Sequence, residues 1–451
     1  MPGTSPAKLG AVRMLIAAVP ESALRSLETA LSTAKDAAMA EIRDLIRAER
    51  ADRGLRDQVF LPLLPLAMAR PEAIPGPVLA PGLLSAIWAE AKRRNAPLIE
   101  KAGRARVELR HDDPEPVEYD RLCIEIASML RGEGALAPAG FDPKLAAEAA
   151  QLVDLTPLAR QAIRRAPEWL GRVSEESAAT LKLIFKDATA IAQDATPRLL
   201  DIIMPHLPEP QQILRLIAVL TDRSGDRFLA SSELAGFGER LLADVDRRVA
   251  RMKAFDMQAG AAAAHGMARD IIACTSILNE LEQQVDLSKD GPWGARVGAG
   301  RRAMAAAVET RLRDAESEVA KALPLQNVKI AGRMTRHAPK LAADPDPRVV
   351  DRARALVTLV GEVRSVAAGG GYGALRSQVA ERLTERLNVY ADEVLHALNA
   401  GEAPDEMRAL AFVEIAAEFL GHVRDEETAQ IVRRRAAVAG GRASSASQDA
   451  A

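Results

Sequence analysis

The sequence predicts an all-α protein: long antiparallel helices packed as bundles in the C-terminal half, preceded by an N-terminal half of shorter, proline-broken helices. Three observations carry that expectation. Apolar residues recur at steps of three and four along most of the chain, the period of one helix face, while strand-type alternation is nearly absent. Hydrophobic residues make up 48% but aromatics only 3%, so the core must be built from Ala, Leu, Val and Ile, which suits closely packed helices. Capping residues stand before prolines at Asp142-Pro143, Thr156-Pro157, Thr196-Pro197 and Asp346-Pro347. A proline in a first helical turn costs nothing there, because its missing N–H would have had no helical partner.

Taken in order, short helices are expected over 6–53, 82–105, 117–131, 142–171, 174–193 and 196–220. The proline cluster Pro62, Pro65, Pro71, Pro75, Pro77 and Pro81 breaks the first region. "HDDPEP" (111–116) and "LPEPQ" (207–211) are further joints. "RVEL" (106–109) and "NVKI" (327–330) are the only strand candidates. Acids at Glu175, Glu176, Asp405 and Glu406 complement the dipoles of the helices they open.

The C-terminal half reads as six long helices in two sets of three, over roughly 236–323 and 347–438. Ile271, Cys274, Leu278, Leu281 and Val285 form one seam, and Val349, Ala353, Leu356, Val360 and Val363 another. The expected division is a helical region 1–230 with its proline-rich break at 62–81, a long-helix region 231–439, and a small, polar, disordered tail 440–451. No fixed-period repeat stands out, so the sequence names no solenoid.

The totals narrow the function. A chain of 451 residues can hold two or three domains, and 27% charged residues is ordinary for a globular protein. Sixty basic against 62 acidic residues leave a net charge of −2, which argues against a dedicated nucleic-acid protein. The two cysteines, Cys123 and Cys274, make neither a disulfide framework nor a zinc set. The longest apolar run, "FLPLLPLAMA" (60–69), is about half of what a bilayer needs, and "MLIAAV" near the N-terminus is too short for a signal peptide. A cytoplasmic protein without a membrane span is expected.

One stretch carries the outline of a metal chemistry. In "TDRSGDRFLASSEL", Asp222, Ser224, Asp226 and Glu233 stand at relative positions 1, 3, 5 and 12, and Phe228 at position 7 would offer its carbonyl. In these residues the segment resembles an EF-hand, which implies local calcium binding and nothing about the rest of the chain. Arg227 stands where the family has glycine, and Arg223 and Arg227 cut the formal charge to −1. A second loop, "DLSKDGPWGARV" (286–297), has Asp286, Ser288, Asp290 and Gly291 in place but ends on Val297. The expected reading is a helix–helix turn, with Ser231 or Ser232 as N-cap, that binds calcium weakly, in roughly the 10⁻⁴ to 10⁻³ M range.

Three further features stand out in the sequence. "VAAGGGYGALRS" (366–377) matches G-x-G-x-x-A at Gly369, Gly371 and Ala374, but follows a helical pattern where a dinucleotide loop needs a strand; a flexible inter-helix turn is expected. "NVKIAGRMTRHAPK" (327–340) carries Lys329, Arg333, Arg336, His337 and Lys340 with no acid and no interleaved aromatic, so a solvated basic loop is expected before an anion site. Trp293 lies in a glycine-rich loop, as a partner anchor or folded back on the bundle. No H-E-x-x-H, P-loop or G-x-S-x-G occurs.

The function expected from this is a non-enzymatic intracellular scaffold or adaptor binding other proteins, a second copy of the chain included, through helix surfaces. No cofactor is implied beyond weak calcium. The alternatives are a calcium-responsive binding protein using 222–233 and an enzyme with an unrecognised pocket between helices.

Overall fold

The computed structural model describes residues 6–33, 36–68, 74, 76–108, 115–132, 142–221, 225–329 and 335–449. Helix accounts for 81% of the molecule, and the sheet among the described residues has two strands, so the all-α reading holds. The chain divides into two compact units, Met1–Asp222 and Arg223–Ala451. The division lies just before the 230/231 boundary read from the sequence. Among the described residues no helix is long and apolar enough to cross a membrane.

The first unit opens with α1 (Pro6–Ala18), α2 (Glu21–Leu31) and α3 (Ala37–Val59), joined through a small core of Ile16, Leu24 and Ile46. The start of the proline cluster is a 3-10 helix, Leu61–Ala67, with Pro62 in its first turn and Pro65 inside; Pro62, Leu63 and Leu66 are buried. Then come α4 (Leu83–Arg94), α5 (Ala96–Glu108), α6 (Val117–Arg131), α7 (Pro143–Arg165), α8 (Pro167–Leu170), α9 (Glu175–Ile191), α10 (Ala195–Ile203) and α11 (Ile213–Leu220). Helix α7 is the hub, packing on α6, α9 and α10. Its Arg160 reaches the C-terminal end of α3 and donates to the carbonyls of Gln58 (3.1 Å) and Val59 (2.6 Å), where a cation complements the helix dipole.

Two expectations for this unit need correction. Thr156-Pro157 does not open a helix, whereas Pro197 lies in the first turn of α10, whose N-cap position is Asp194 and not Thr196. Pro157 lies inside α7, and Thr156, fully buried, turns its hydroxyl back onto the Leu152 carbonyl at 3.0 Å. The buried face of α7, running from Ala146 through Val153 to Ala162, crosses the proline, and its burial outweighs the lost hydrogen bond. The strand candidate "RVEL" is the end of α5 as far as Glu108; Leu109 lies outside the described residues. There Arg106 crosses to α3 and donates to the Ala51 carbonyl (2.8 Å), beside Gly54, which leaves room for the guanidinium.

The second unit holds α12 (Asp226–Ala230), α13 (Ala235–Lys253), α14 (Gly260–Gln284), α15 (Pro292–Ala322), strands β1 (Leu325–Lys329) and β2 (Thr335–Pro339), and then α16 (Pro347–Glu362), α17 (Gly373–Asn399), α18 (Glu406–Val423) and α19 (Glu426–Asp449). The candidate "NVKI" is real as far as Lys329: it pairs antiparallel with β2, Asn327 opposite His337, in a hairpin whose tip lies outside the described residues. Asp346 caps α16 by accepting from the Arg348 N–H (2.9 Å), as its place before proline predicts. The last expected helix is two. Asp425 accepts from the Thr428 N–H and hydroxyl (2.8 and 2.7 Å) and starts α19 afresh. Helix α19 continues to Asp449, so 440–449, expected as a disordered tail, are helical, a conformation that their Ala, Ser, Arg and Gln residues accept.

The long helices do not form two separate bundles. Each packs on the next but one, and every substantial interface among them joins helices no farther apart than that. Helices α13, α15, α17 and α19 therefore succeed one another in one layer, and α14, α16 and α18 in the other. This is the packing plan of a solenoid, built without a repeat in sequence. Several of the interfaces share a chemistry. Arginine meets carboxylate between α13 and α14 (Arg251–Asp270, 2.5 Å), α13 and α15 (Arg296–Glu239, 2.6 Å), α15 and α16 (Arg352–Glu318, 3.0 Å), α15 and α17 (Arg382–Glu316, 2.7 Å), α16 and α18 (Arg354–Glu418, 3.0 Å) and α17 and α19 (Arg435–Asp392, 2.7 Å). Most are partly exposed, so each contributes about 0 to 1 kcal/mol; their consequence is register. Many of the nearly balanced charges are spent in this way.

Both cysteines are free, buried and set in helix seams. Burial pushes each thiol up to about 12. Folded protein is therefore expected to leave both thiols unreactive toward a disulfide reagent at about pH 8, with two equivalents released in denaturant. The same shift makes stability fall as pH rises above the ordinary thiol value, since only the unfolded chain then loses these protons. A rapidly reacting thiol in folded protein would contradict the packing of α6 or α14.

Candidate functional site

From Gly225 onward the calcium-like stretch lies at the start of the second unit. Asp222 and Ser224 lie outside the described residues. The other three sequence-predicted ligands have separate surroundings. Asp226 is buried, and one carboxylate oxygen accepts from the Gly294 N–H (3.1 Å) in the first turn of α15, while its other oxygen is buried without a hydrogen-bond partner. Phe228 is exposed, and its carbonyl accepts from the N–H and hydroxyl of Ser231 (3.2 and 3.0 Å). Glu233 is exposed. The N-cap position of α13 is Leu234 and not Ser231 or Ser232 as expected; Ser232 instead accepts from the Leu234 N–H (3.2 Å) in the turn before the helix.

The two loops compared in sequence do meet. Gly225 and Asp286 form a parallel bridge, with the Asp226 N–H donating to the Asp286 carbonyl (3.2 Å). Gly291 is needed here for close approach: a Cβ on it would stand 2.0 Å from an Asp226 carboxylate oxygen. Val297, where an EF-hand would carry its glutamate, faces the core at 2% exposure. Trp293 is folded back, fully buried, with its indole N–H donating to Glu239 (2.8 Å).

The glycine-rich turn is preceded by α16 and a 3-10 turn, Val363–Val366, with no strand. It is packed, against the expectation of flexibility. Gly371 has φ +84°, and a Cβ on Gly370 would stand 2.3 Å from the buried ring of Tyr372. Just past this turn the second unit opens two clefts along α17. One, of about 640 Å³, lies between the hairpin and α17, with Asn327, His337, Arg382, Glu385 and Arg386 among its walls. The other, of about 590 Å³, lies between α17, the 3-10 turn and the α18–α19 joint; it is lined by Arg364, Arg376, Ser377, Thr384, Asn388 and Arg424, with Glu381, Glu385 and Asp425. Arg376 belongs to the glycine-rich motif, which by itself gives it no role. Its position one turn into a helix is legible; its burial depends on α16 and could not be read.

Compared with protein-family models, curated proteins and solved structures, the chain gives no significant match in any of the three.

Proposed function

We propose that this chain is a non-enzymatic intracellular scaffold or adaptor that binds other proteins through the outer faces of its helices. The observation that supports it is the two-layer packing of the second unit, where each long helix is braced by its neighbours and the outward side of a layer is left as an extended ridged face. On α17, Arg382, Glu385, Val389, Asp392 and His396 are exposed at steps of three and four. On α19, which packs beside it, Glu427, Ile431, Arg434 and Val438 do the same. Val389, Ile431 and Val438 are 47%, 51% and 56% exposed, apolar points set among charges of both signs. That mixture suits a non-obligate protein interface, apolar anchors within a polar surround. Two free cysteines fit a reducing compartment.

The test is affinity capture from the native cell with wild type and with the triple variant Val389→Asp, Ile431→Asp, Val438→Asp, paired with light scattering for self-association. All three side chains are exposed, so helix content is expected to be unchanged. The expected result is a reproducible partner, or a dimer of this chain, that wild type holds and the variant loses. Identical capture and identical mass for both proteins would sink this reading.

A further inference from the structure

Arg376 differs from the arginines that bind the helix layers together. It is 8% exposed, yet its guanidinium is answered by a single described hydrogen bond, from Nε to the Val360 carbonyl (3.0 Å). Its Nη2 is buried with no partner. No described ion pair gives it a carboxylate, and the neighbouring charge that acts on it is another cation, Arg364. Burial first, and Arg364 second, lower its pKa below the ordinary value. A buried cation with donors left over and a like charge beside it is costly to the folded state unless something completes it.

The surroundings say what would. Arg376 and Arg364 line the same cleft, from α17 and from the turn after α16, and Arg424 enters from the joint between α18 and α19. The acid nearest this joint, Asp425, is occupied in capping α19, and its contact with Arg424 is long, at 3.7 Å. Glu381 and Glu385 line the cleft from farther along α17, where Ser377, Thr384 and Asn388 add hydroxyl and amide groups. Three carboxylates line the cleft beside the three guanidiniums, but none of them is in a described ion pair with Arg364 or Arg376. The guanidinium forks that remain suit the oxygens of a phosphate. No aromatic ring lines the cleft, so the phosphate would be carried on a hydroxylated or peptide body and not on a stacked base. A volume of about 590 Å³ lies within the range of small-ligand sites.

We propose that this cleft is a binding site for a phosphate monoester, with the phosphate seated between Arg364 and Arg376 and Arg424 as the third cation. The site shares Glu385 with the outward positions of α17, but Arg364, Arg376 and Arg424 are not among the positions that carry the scaffold reading, so the two stand or fall separately.

The experiment is thermal unfolding and calorimetry of the full chain with inorganic phosphate, a phosphoserine peptide and a hexose phosphate, each against sodium chloride at equal ionic strength. At least one phosphate probe is expected to bind and raise the unfolding temperature above the chloride control. Preference for the peptide would place the phosphate on a protein partner; preference for either of the others, on a small metabolite. Arg364→Ala, at an exposed side chain, is expected to weaken binding by about tenfold or more. Arg376→Met is expected to abolish it while leaving the unliganded protein as stable or more stable, because an apolar chain replaces an unanswered buried charge. If Arg376→Met does not fold, Arg364→Ala carries the test alone. No phosphate-specific effect in wild type, or undiminished binding in Arg364→Ala, would overturn the proposal.

Discussion

Trp293→Ala is expected to lower the stability of the second unit by about 3 to 5 kcal/mol, the usual cost of emptying a fully buried aromatic site. The indole is 1% exposed and lies on Gly238 of α13, so close that a Cβ on that glycine would stand 2.4 Å from the ring. Helix α13 has thus given up a side chain to receive it. The hydrogen bond to Glu239 adds little, because that carboxylate is 51% exposed and returns to water when the indole is gone. Trp293→Phe separates the two contributions: it keeps most of the apolar volume and loses the N–H, and should cost less than half as much. Denaturant titration followed by far-ultraviolet circular dichroism decides this. A shift below about 1 kcal/mol for the alanine variant would mean that the ring is not packed as described.

Gly361→Ala is expected to destabilise by about 2 to 3 kcal/mol, although alanine is the better helix former. On propensity alone the change inside α16 should gain close to 1 kcal/mol. The Cβ would stand 2.3 Å from the His422 carbonyl oxygen of α18 and 3.2 Å from its carbon. Both obstacles are backbone, so no side chain can swing aside and the two helices must part. Gly266→Ala, in α14 with open space around the new methyl, is the matched control and should raise stability by about 0.5 to 1 kcal/mol. Opposite signs in one melting experiment would confirm that close approach, and not helix propensity, holds Gly361 in place. Equal signs would remove the α16–α18 contact from this account.

The sequence by itself determined the helical class and the outer limits of most helical stretches, but not the breaks within 6–53, 82–105 and 196–220, nor the strand Thr335–Pro339 where a solvated basic loop was expected. Heptad-like seams such as Ile271, Cys274, Leu278 and Leu281 lie on the buried side of a helix, as their spacing requires, because burial of a periodic apolar face dominates helix placement. Asp142 and Asp346 cap helices as predicted, since capping acts over two or three residues and needs no distant partner. Where the local signal competed with packing, packing prevailed. Thr156-Pro157 carries a start signal, and α7 runs through it on the strength of a buried face on either side. The calcium-like spacing at 222–233 was legible as a pattern, but the burial of Asp226 against α15 was not, because its partner Gly294 is far along the chain.

The layered arrangement was decided only by tertiary structure. Which helix lies beside which depends on small residues that admit a backbone or a ring, such as Gly361 and Gly238, and on arginine–carboxylate pairs between helices. In sequence each of these is one glycine or one charge among many. The same holds for the phosphate cleft. Arg364, Arg376 and Arg424 are ordinary arginines along the chain, and an unanswered guanidinium can be recognised only when everything that could have answered it has been placed. Local physics, with its short range and strong periodicity, is written along the sequence; the balance of buried charge is a sum over neighbours that the fold brings together.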